Sequence, residues 1–165
     1  MILNNLNKMA EDLRLTQTSK EEKYKELIPQ LNALIQGEED LIANLANVSA
    51  GLKEAFQFLW VGFYLVKQNE LVLGPFQGPV ACTRIQKGKG VCGNSWDKAQ
   101  TIIVPDVEKF EGHIACSSHS KSEIVIPMIR NQEVVAVLDV DSSELNTFDE
   151  VDEKHLSLLL NEINF

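Results

Sequence analysis

The fold of this chain is decided by two apolar runs, Glu123-Ile-Val-Ile-Pro-Met-Ile129 and Glu133-Val-Val-Ala-Val-Leu-Asp-Val-Asp141, separated by a short polar joint. Their length and β-branched content predict two strands, and the joint predicts an antiparallel hairpin. In such a hairpin the start of the first strand meets the end of the second, which brings Glu123 towards Asp139 and Asp141. Side chains two residues apart share a face of a strand, so the two aspartates are predicted to point the same way.

The two aspartates follow five apolar residues, where a buried strand would ordinarily continue with Val or Ile. Because burying an unpaired charge is costly, these carboxylates should bind a cation, accept N–H groups or be partly protonated by mutual repulsion. A bound amino group would satisfy the first option, and a shared proton would supply a general acid near neutral pH. The alternative is that the strand has left the core by Asp139 and the carboxylates meet water.

A further strand is predicted over residues 58–66, and its two faces differ. One face is aliphatic and suits contact with helices, whereas the other carries Trp60, Gly62 and Tyr64. The glycine between two aromatic rings would leave space for a ligand. The alternative is that Trp60 and Tyr64 are ordinary core aromatics. A polar turn at Gln68-Asn69 predicts a hairpin into the next strand.

Helical patterns flank these strands. Ser19 to Glu22 fits a capping box at a helix start, and Pro29 is expected to kink or split the helix behind it. A second helix is predicted over residues 41–52, and a last helix is predicted behind another capping box at Thr147 to Glu150. The sequence therefore predicts an α/β fold of the α+β type, with an antiparallel sheet flanked by helices.

Composition limits both the size and the class of the protein. The chain has 165 residues, of which 44% are apolar, and this predicts one domain over residues 19–165 behind an N-terminal extension, residues 1–18. A formal net charge of −9 argues against nucleic acid or anionic membrane as a partner. The sequence shows neither an apolar run long enough to span a membrane nor a signal-peptide pattern, so we expect a cytoplasmic protein.

All three cysteines, Cys82, Cys92 and Cys116, lie in a region that also holds most of the glycines. Residues 74–93 are predicted to form a long loop, apart from a short helix beginning near residue 91. In a reducing compartment such cysteines favour redox chemistry: one thiolate attacks an oxidised substrate and a second thiol resolves the product.

In that scheme His113 or His119 would favour the thiolate of Cys116, and both Cys82 and Cys92 are candidates for the resolving thiol. Two alternatives remain. The cysteines could be three buried apolar side chains, or they could form a zinc site with one histidine.

Six sequence blocks in order resemble a GAF domain, and within it the free methionine-(R)-sulfoxide reductase family. The resemblance spans roughly residues 20–163 and implies an oxidoreductase that reduces free L-methionine (R)-S-oxide through a sulfenic acid and a disulfide. The blocks are Trp60-Val-Gly-Phe-Tyr64, Leu73-Gly-Pro-Phe-Gln-Gly-Pro-Val-Ala-Cys82, Gly88-Lys-Gly-Val-Cys-Gly93, His113-Ile-Ala-Cys116, Ser122-Glu-Ile-Val-Ile-Pro127 and Leu138-Asp-Val-Asp-Ser142.

The same resemblance implies a role for each candidate residue. It makes Cys116 the catalytic thiol, Cys82 the main resolving thiol and Cys92 an auxiliary one. It also implies recycling by thioredoxin and no metal or organic cofactor, and a homodimer is compatible with it. The substrate-binding residues that it implies are an aromatic wall, Trp60 and Tyr64, and an acidic cluster, Glu123, Asp139 and Asp141.

The alternative function is a non-catalytic GAF module that senses a small molecule or redox state. Such a module signals to an output domain, and because the sequence ends at Phe165 we expect no room for one here. The enzyme is therefore the favoured interpretation.

Overall fold

The computed structural model describes residues 12–114 and 117–165. In this part of the chain the sheet has six strands in the order β3-β2-β1-β6-β5-β4, and every neighbouring pair is antiparallel. This confirms the predicted antiparallel sheet flanked by helices. The elements are α1 (Lys20–Ile35), α2 (Leu41–Phe56), β1 (Trp60–Lys67), β2 (Glu70–Gln77), β3 (Arg84–Gln86), α3 (Gly90–Lys98), β4 (Ile102–Val104), a 3-10 turn (Val107–Lys109), β5 (Ser122–Arg130), β6 (Glu133–Ser142) and α4 (Glu150–Asn161).

The sheet separates two apolar clusters, because side chains alternate across each central strand. On β1, Val61 and Phe63 join the larger cluster beneath α1, α2 and α4, whereas Trp60 and Tyr64 join a smaller cluster that includes residues of α3. We call these two sides the helix face and the pocket face. The two-faced strand that the sequence predicted is therefore present, with the aliphatic side against the helices.

The closing hairpin is formed by β5 and β6 and turns at Asn131 and Gln132, both with positive φ. The first hairpin turns in the same way at Gln68 and Asn69, as the sequence predicted. Positive φ at both central residues is the geometry whose twist matches that of the flanking strands. Both joints are therefore tight two-residue turns that fix the register of their strands.

The prediction of a long loop over residues 74–93 is wrong. Strand β2 continues to Gln77, Arg84–Gln86 forms β3, and α3 begins at Gly90. Strand β2 contains Pro75, which cannot donate a backbone hydrogen bond. Because β3 pairs only with residues 70–72 of β2, Pro75 lies beyond that ladder. Proline is tolerated at such an unpaired edge because no ladder partner needs its missing N–H.

Two predicted helix signals also differ from the structure. Helix α1 continues through Pro29 without splitting, because Leu27 and Leu31 on either side of it are both buried in the core. The last helix is capped by Asp149 and Asp152 rather than by Thr147 and Glu150. The Asp149 backbone N–H donates to the Asp152 side chain, as in the predicted capping box, but the box begins at Asp149 rather than at Thr147.

The N-terminal segment lies along α1. The Thr16 backbone N–H and hydroxyl donate to the two Glu26 carboxylate oxygens at 2.8 and 2.6 Å, and the Arg14 N–H donates to Gln30 Oε1 at 2.8 Å. The division into residues 1–18 and 19–165 stays a prediction. Within the described ranges, no helix combines the length and apolar character that a membrane crossing requires.

Candidate functional site

A pocket opens on the pocket face between the sheet, the N-terminal end of α3 and the connections around it. Six of the eight residues predicted from sequence for substrate binding and chemistry line it. Cys116 lies outside the described residues, and Cys82 lies beside the pocket. The lining residues are Trp60, Tyr64, Val80, Ala81, Ile85, Lys89, Gly90, Val91, Cys92, His113, Ile114, Ser117, Ser120, Glu123, Asp139 and Asp141.

The aromatic side of the pocket is built on β1. The rings of Trp60 and Tyr64 lie 6.0 Å apart between centroids, and both side chains are almost fully buried. The expectation that Gly62 leaves room for a ligand is wrong. A Cβ there would lie 2.4 Å from both the Trp60 indole and the Phe76 Cβ, so the indole itself fills that space. The glycine lets Trp60 lie flat on the strand.

The acidic side is built on the β5–β6 hairpin. Glu123 pairs in register with Asp141, and Asp139 lies opposite Gly62 on the neighbouring strand β1. Glu123 is 6% exposed and Asp139 is 7% exposed, so the strand has not left the core at this point. The alternative in which the strand has left the core by Asp139 and the two aspartates meet water is therefore wrong for Asp139, whereas Asp141 is partly exposed.

Burial and mutual repulsion perturb all three acids. Burial, followed by repulsion from Asp141, raises the pKa of both Glu123 and Asp139 well above the usual carboxyl range. Burial also raises the pKa of Asp141 to about 6, although a hydrogen bond from Ser120 and attraction to His113 partly oppose it. Burial and repulsion therefore favour the protonated forms of these acids, which suits a general acid.

Two polar neighbours hold this cluster and were not among the predicted site residues. The Ser120 hydroxyl donates a short hydrogen bond to Asp141 Oδ1. His113 Nε2 lies 3.6 Å from Glu123 Oε2. Their sequence signal was weak, because His113 was considered only as a partner for Cys116 and Ser120 belongs to no motif. Only the folding of the 106–121 connection brings them to the end of the hairpin.

Cys92 lies at the base of the pocket, in the first turn of α3 rather than in a loop. Burial raises the pKa of its thiol, and the negative charges of Asp139 and Glu123 add to that effect. Donor atoms of these three residues lie within 4.8 Å of one another, close enough to share a metal ion. Asp139 Oδ1 is buried and has no hydrogen-bond partner among the described residues. Protonated forms also suit this cluster, because burial raises the pKa of all three groups.

Cys82 is disulfide-bonded, whereas Cys92 is a free thiol. A zinc site built from all three cysteines is incompatible with this state, because a disulfide sulfur is not a thiolate ligand. The Tyr64 hydroxyl donates to the Cys82 carbonyl at 3.0 Å, which places this cysteine at the aromatic side of the pocket. Burial also raises the pKa of the Tyr64 phenol, so it remains a neutral donor.

The GAF domain family matches residues 36–165 of this chain. A Dictyostelium discoideum protein named GAF domain-containing protein A is 63% identical, over 92% of this chain and 97% of its own length. The Escherichia coli free methionine-R-sulfoxide reductase is 45% identical, over 86% of this chain and 87% of its own. The crystal structure of the Neisseria meningitidis free methionine-R-sulfoxide reductase in complex with its substrate has 49% identity and a TM-score of 0.91, covering 92% of both chains.

This chain belongs to the GAF domain family, and its relatives include proteins named free methionine-R-sulfoxide reductase. The resemblance predicted from the six blocks is therefore confirmed. The predicted enzyme class, an oxidoreductase, is confirmed at the level of these relatives. The roles of the individual site residues remain predictions.

Proposed function

We propose that this protein reduces free L-methionine (R)-S-oxide to methionine by cysteine chemistry. The observation that carries the proposal is the joining, in one pocket, of two aromatic rings with three carboxyl groups, of which Glu123 and Asp139 are buried and have raised pKa values. Relatives at 45% and 43% identity named for this reaction support it.

A free sulfoxide amino acid presents an ammonium, a carboxylate, an S=O group and a methyl group, and the pocket offers a partner for each. The acidic cluster attracts the ammonium and donates a proton to the sulfoxide oxygen. The faces of Trp60 and Tyr64 receive the methylthio end through sulfur–ring contact. The carboxylate is taken by the Lys89 ammonium and the N-terminal end of α3, where backbone N–H groups and the helix dipole favour negative charge.

In the first step the Cys116 thiol attacks the sulfoxide sulfur while Glu123 or Asp139 protonates its oxygen. The S–O bond of the substrate breaks, the oxygen passes to the cysteine, and methionine and a Cys116 sulfenic acid are formed. Buried acids are suited to this step because their raised pKa values keep the proton available near neutral pH.

In the second step the Cys82 thiol attacks the sulfenic sulfur. A disulfide forms between Cys82 and Cys116, and the hydroxyl leaves with the Cys82 proton as water. The disulfide-bonded state of Cys82 supports this assignment. Thioredoxin then reduces the disulfide, and Cys92 acts as an auxiliary thiol. A cytoplasmic location fits a thiol cycle that depends on a reducing pool, and a homodimer stays a prediction.

The test compares Cys116→Ser, Cys82→Ser and Cys92→Ser with the unaltered protein, using free R and S sulfoxides and thioredoxin. Cys116→Ser should lose all R-sulfoxide turnover, and Cys82→Ser should release methionine once without cycling. Cys92→Ser, the control that also removes one thiol, should keep most of its cycling. Turnover in Cys116→Ser would contradict the proposal. Failure of the unaltered protein to consume reductant with any free sulfoxide would favour a ligand-sensing GAF module.

A further inference from the structure

The polar ends of the two pocket aromatics both contact one short segment, residues 78–83, which carries Cys82. Trp60 Nε1 donates to the Pro79 carbonyl at 3.0 Å, and the Tyr64 hydroxyl donates to the Cys82 carbonyl at 3.0 Å. The rings therefore make two kinds of contact. Their faces border the pocket, and their donors hold the chain that supplies the resolving thiol.

We propose that Trp60 and Tyr64 are positioning residues for the second chemical step, holding the 78–83 segment where the Cys82 thiol reaches the sulfenic sulfur. This inference deepens the proposed function and rests on it. It adds to the ring-face role a separate role for the indole N–H and the phenol O–H. The two roles can be separated, because removing the phenol oxygen leaves the ring in place.

The segment depends on these contacts because it lies between strands rather than within one. Strand β2 ends at Gln77 and β3 begins at Arg84, and residues 78–80 between them are exposed. After this stretch the chain returns to the sheet through a hydrogen bond from the Leu73 N–H to the Thr83 carbonyl at 3.1 Å. The disulfide of Cys82 also holds this stretch. In the reduced protein, where that bond is absent, the Pro79 and Cys82 carbonyls could bond to water in other positions, whereas the two aromatic donors favour one.

The donors themselves favour that position. Trp60 is 4% exposed and Tyr64 is 1% exposed, so neither N–H nor O–H meets bulk water. If the segment moved away, two buried donors would lose their partners, and an unsatisfied buried donor is costly. The segment and the rings therefore stabilise one another in a single arrangement.

A glycine provides an independent sign of close contact. Gly78 has a φ of +140°, and a Cβ there would lie 2.7 Å from the Trp60 ring and 2.8 Å from the Leu59 carbonyl oxygen. Both the backbone conformation and the lack of space favour glycine. The segment therefore packs directly on the indole at its first residue and is held by hydrogen bonds at its second and fifth.

The kinetic consequence concerns the second step only. The attack of Cys82 on the sulfenic sulfur forms one S–S bond and releases water, and its rate depends on how often the thiol occupies the attacking position. Methionine is released before that attack. Loss of the phenol hydrogen bond should therefore slow disulfide formation without removing the burst of methionine.

The variant Tyr64→Phe tests this with reduced protein in the absence of thioredoxin. After rapid mixing with free R-sulfoxide, methionine is quantified and the disulfide of Cys82 is followed by mass spectrometry of unreduced peptides. We expect disulfide formation to slow about fivefold more than the methionine burst, the rate equivalent of one ordinary hydrogen bond, and a sulfenic acid that dimedone traps. The matched control is Tyr24→Phe, which removes a 2.8 Å hydrogen bond to Asp152 on the helix face and should leave disulfide formation unchanged.

Gly78→Ala is the second variant, because its clash with the Trp60 ring and the Leu59 carbonyl oxygen should displace the same segment while both donor groups stay chemically intact. It should show the same delayed disulfide, which keeps the proposal testable if Tyr64→Phe folds poorly. Disulfide formation at the unaltered rate in both variants would overturn the proposal. Equal slowing of the burst and of the disulfide would also overturn it, because the rings would then act on the substrate alone.

The experiment also separates this inference from the proposed function. Hydrogen peroxide converts a cysteine thiol to sulfenic acid with release of water, so it prepares the second step without any sulfoxide. Slow disulfide formation after peroxide in Tyr64→Phe supports the positioning role even if the sulfoxide burst is absent from the unaltered protein. An absent burst alone would overturn only the choice of substrate.

Discussion

The two faces of the sheet both bury carboxyl groups, but they treat them in opposite ways. On the helix face, fully buried Asp152 accepts from Lys20 Nζ at 2.5 Å and from the Tyr24 hydroxyl at 2.8 Å. On the pocket face, carboxylate oxygens of Glu123 and Asp139 lie within 4.8 Å of each other, and Asp139 Oδ1 has no hydrogen-bond partner among the described residues. Asp152 therefore forms an ion pair with a lysine of another helix, whereas Glu123 and Asp139 line a pocket.

The buried acids of the two faces have different roles in stability and in ligand binding. A buried acid with a cation and a hydroxyl donor joins two helices and stabilises the fold, because each of its partners would lose an interaction if it were removed. Buried acids without such a match reduce stability, and they are retained where a ligand supplies the missing charge. The basic side chain in contact with the acidic cluster among the described residues is His113, whose Nε2 lies 3.6 Å from Glu123 Oε2.

The largest effect that would sharpen this comparison is expected from Glu123→Gln. Because the amide cannot deliver a proton to the sulfoxide oxygen, kcat/KM for free R-sulfoxide should fall about a thousandfold. The free energy of unfolding should not fall, since an incompletely matched buried acid has been removed. Steady-state assay and urea titration measure the two quantities. A loss of stability without a loss of activity would make Glu123 a structural residue.

The same carboxyl-to-amide change on the helix face should have the opposite outcome. Asp152→Asn removes the charged acceptor of the Tyr24 hydroxyl and one of the two carboxylate partners of Lys20, so the free energy of unfolding should fall by about 3 kcal/mol. Turnover should be preserved at temperatures where the variant is folded. Urea unfolding followed by tryptophan fluorescence measures the change. An unchanged unfolding midpoint would remove the contrast between the faces.

The aspartates of the two faces should also contribute to the pH dependence of stability with opposite signs. Asp141 has a folded pKa raised from 3.8 to about 6, so its protonated form is favoured by the fold. Its contribution is fully present below the unfolded pKa of 3.8 and is lost as pH rises through about 6. The change is about 3 kcal/mol. Asp141→Asn should abolish that loss when the free energies of unfolding at about pH 4 and pH 7 are compared.

Asp149 on the helix side provides the matched case. A hydrogen bond from Lys20 holds its pKa below the usual range, so its contribution is present above the unfolded pKa and lost as pH falls through the folded one. Asp149→Asn should therefore reduce stability at neutral pH and have less effect in acid. The same direction of change in both aspartate variants would contradict the distinction.

The smallest effect is expected at the basic end of the pocket, where Lys89 precedes α3. Lys89→Ala should raise KM for the free sulfoxide about fivefold with kcat little changed, because an exposed ammonium contributes modestly to binding a carboxylate. Lys98→Ala, at the other end of α3, is the control and should leave KM unchanged. Equal KM in both variants would leave the substrate carboxylate to the backbone N–H groups of α3.

Much of the sheet could be predicted because its signals are local. Alternation along β1, the two-residue turns and the pairing of Glu123 with Asp141 all follow from period-two geometry and turn chemistry. The extension of β2 past Pro75 could not be predicted in this way. It depends on where β3 stops pairing, which is a property of the neighbouring strand rather than of the proline itself.

The sequence predicted which residues belong to the site but not how their side chains contact one another. The motif blocks supplied the aromatic pair, the acids and the cysteines. They did not show that the Trp60 indole fills the space above Gly62, or that Cys92 lies beside Asp139 at the start of a helix. Ser120 and His113 were missed because a connection without regular pattern carries them to the hairpin end.

The sequence by itself determined which side chains share a strand face and which residues can carry redox and acid chemistry, because these properties depend on near neighbours and on side-chain type. Only the tertiary structure decided which buried acids receive a cation. Asp152 meets Lys20 across 132 positions of sequence, while Asp139 meets Glu123 and Cys92. Loss of water and pairing of charge depend on segments that meet only in the folded chain.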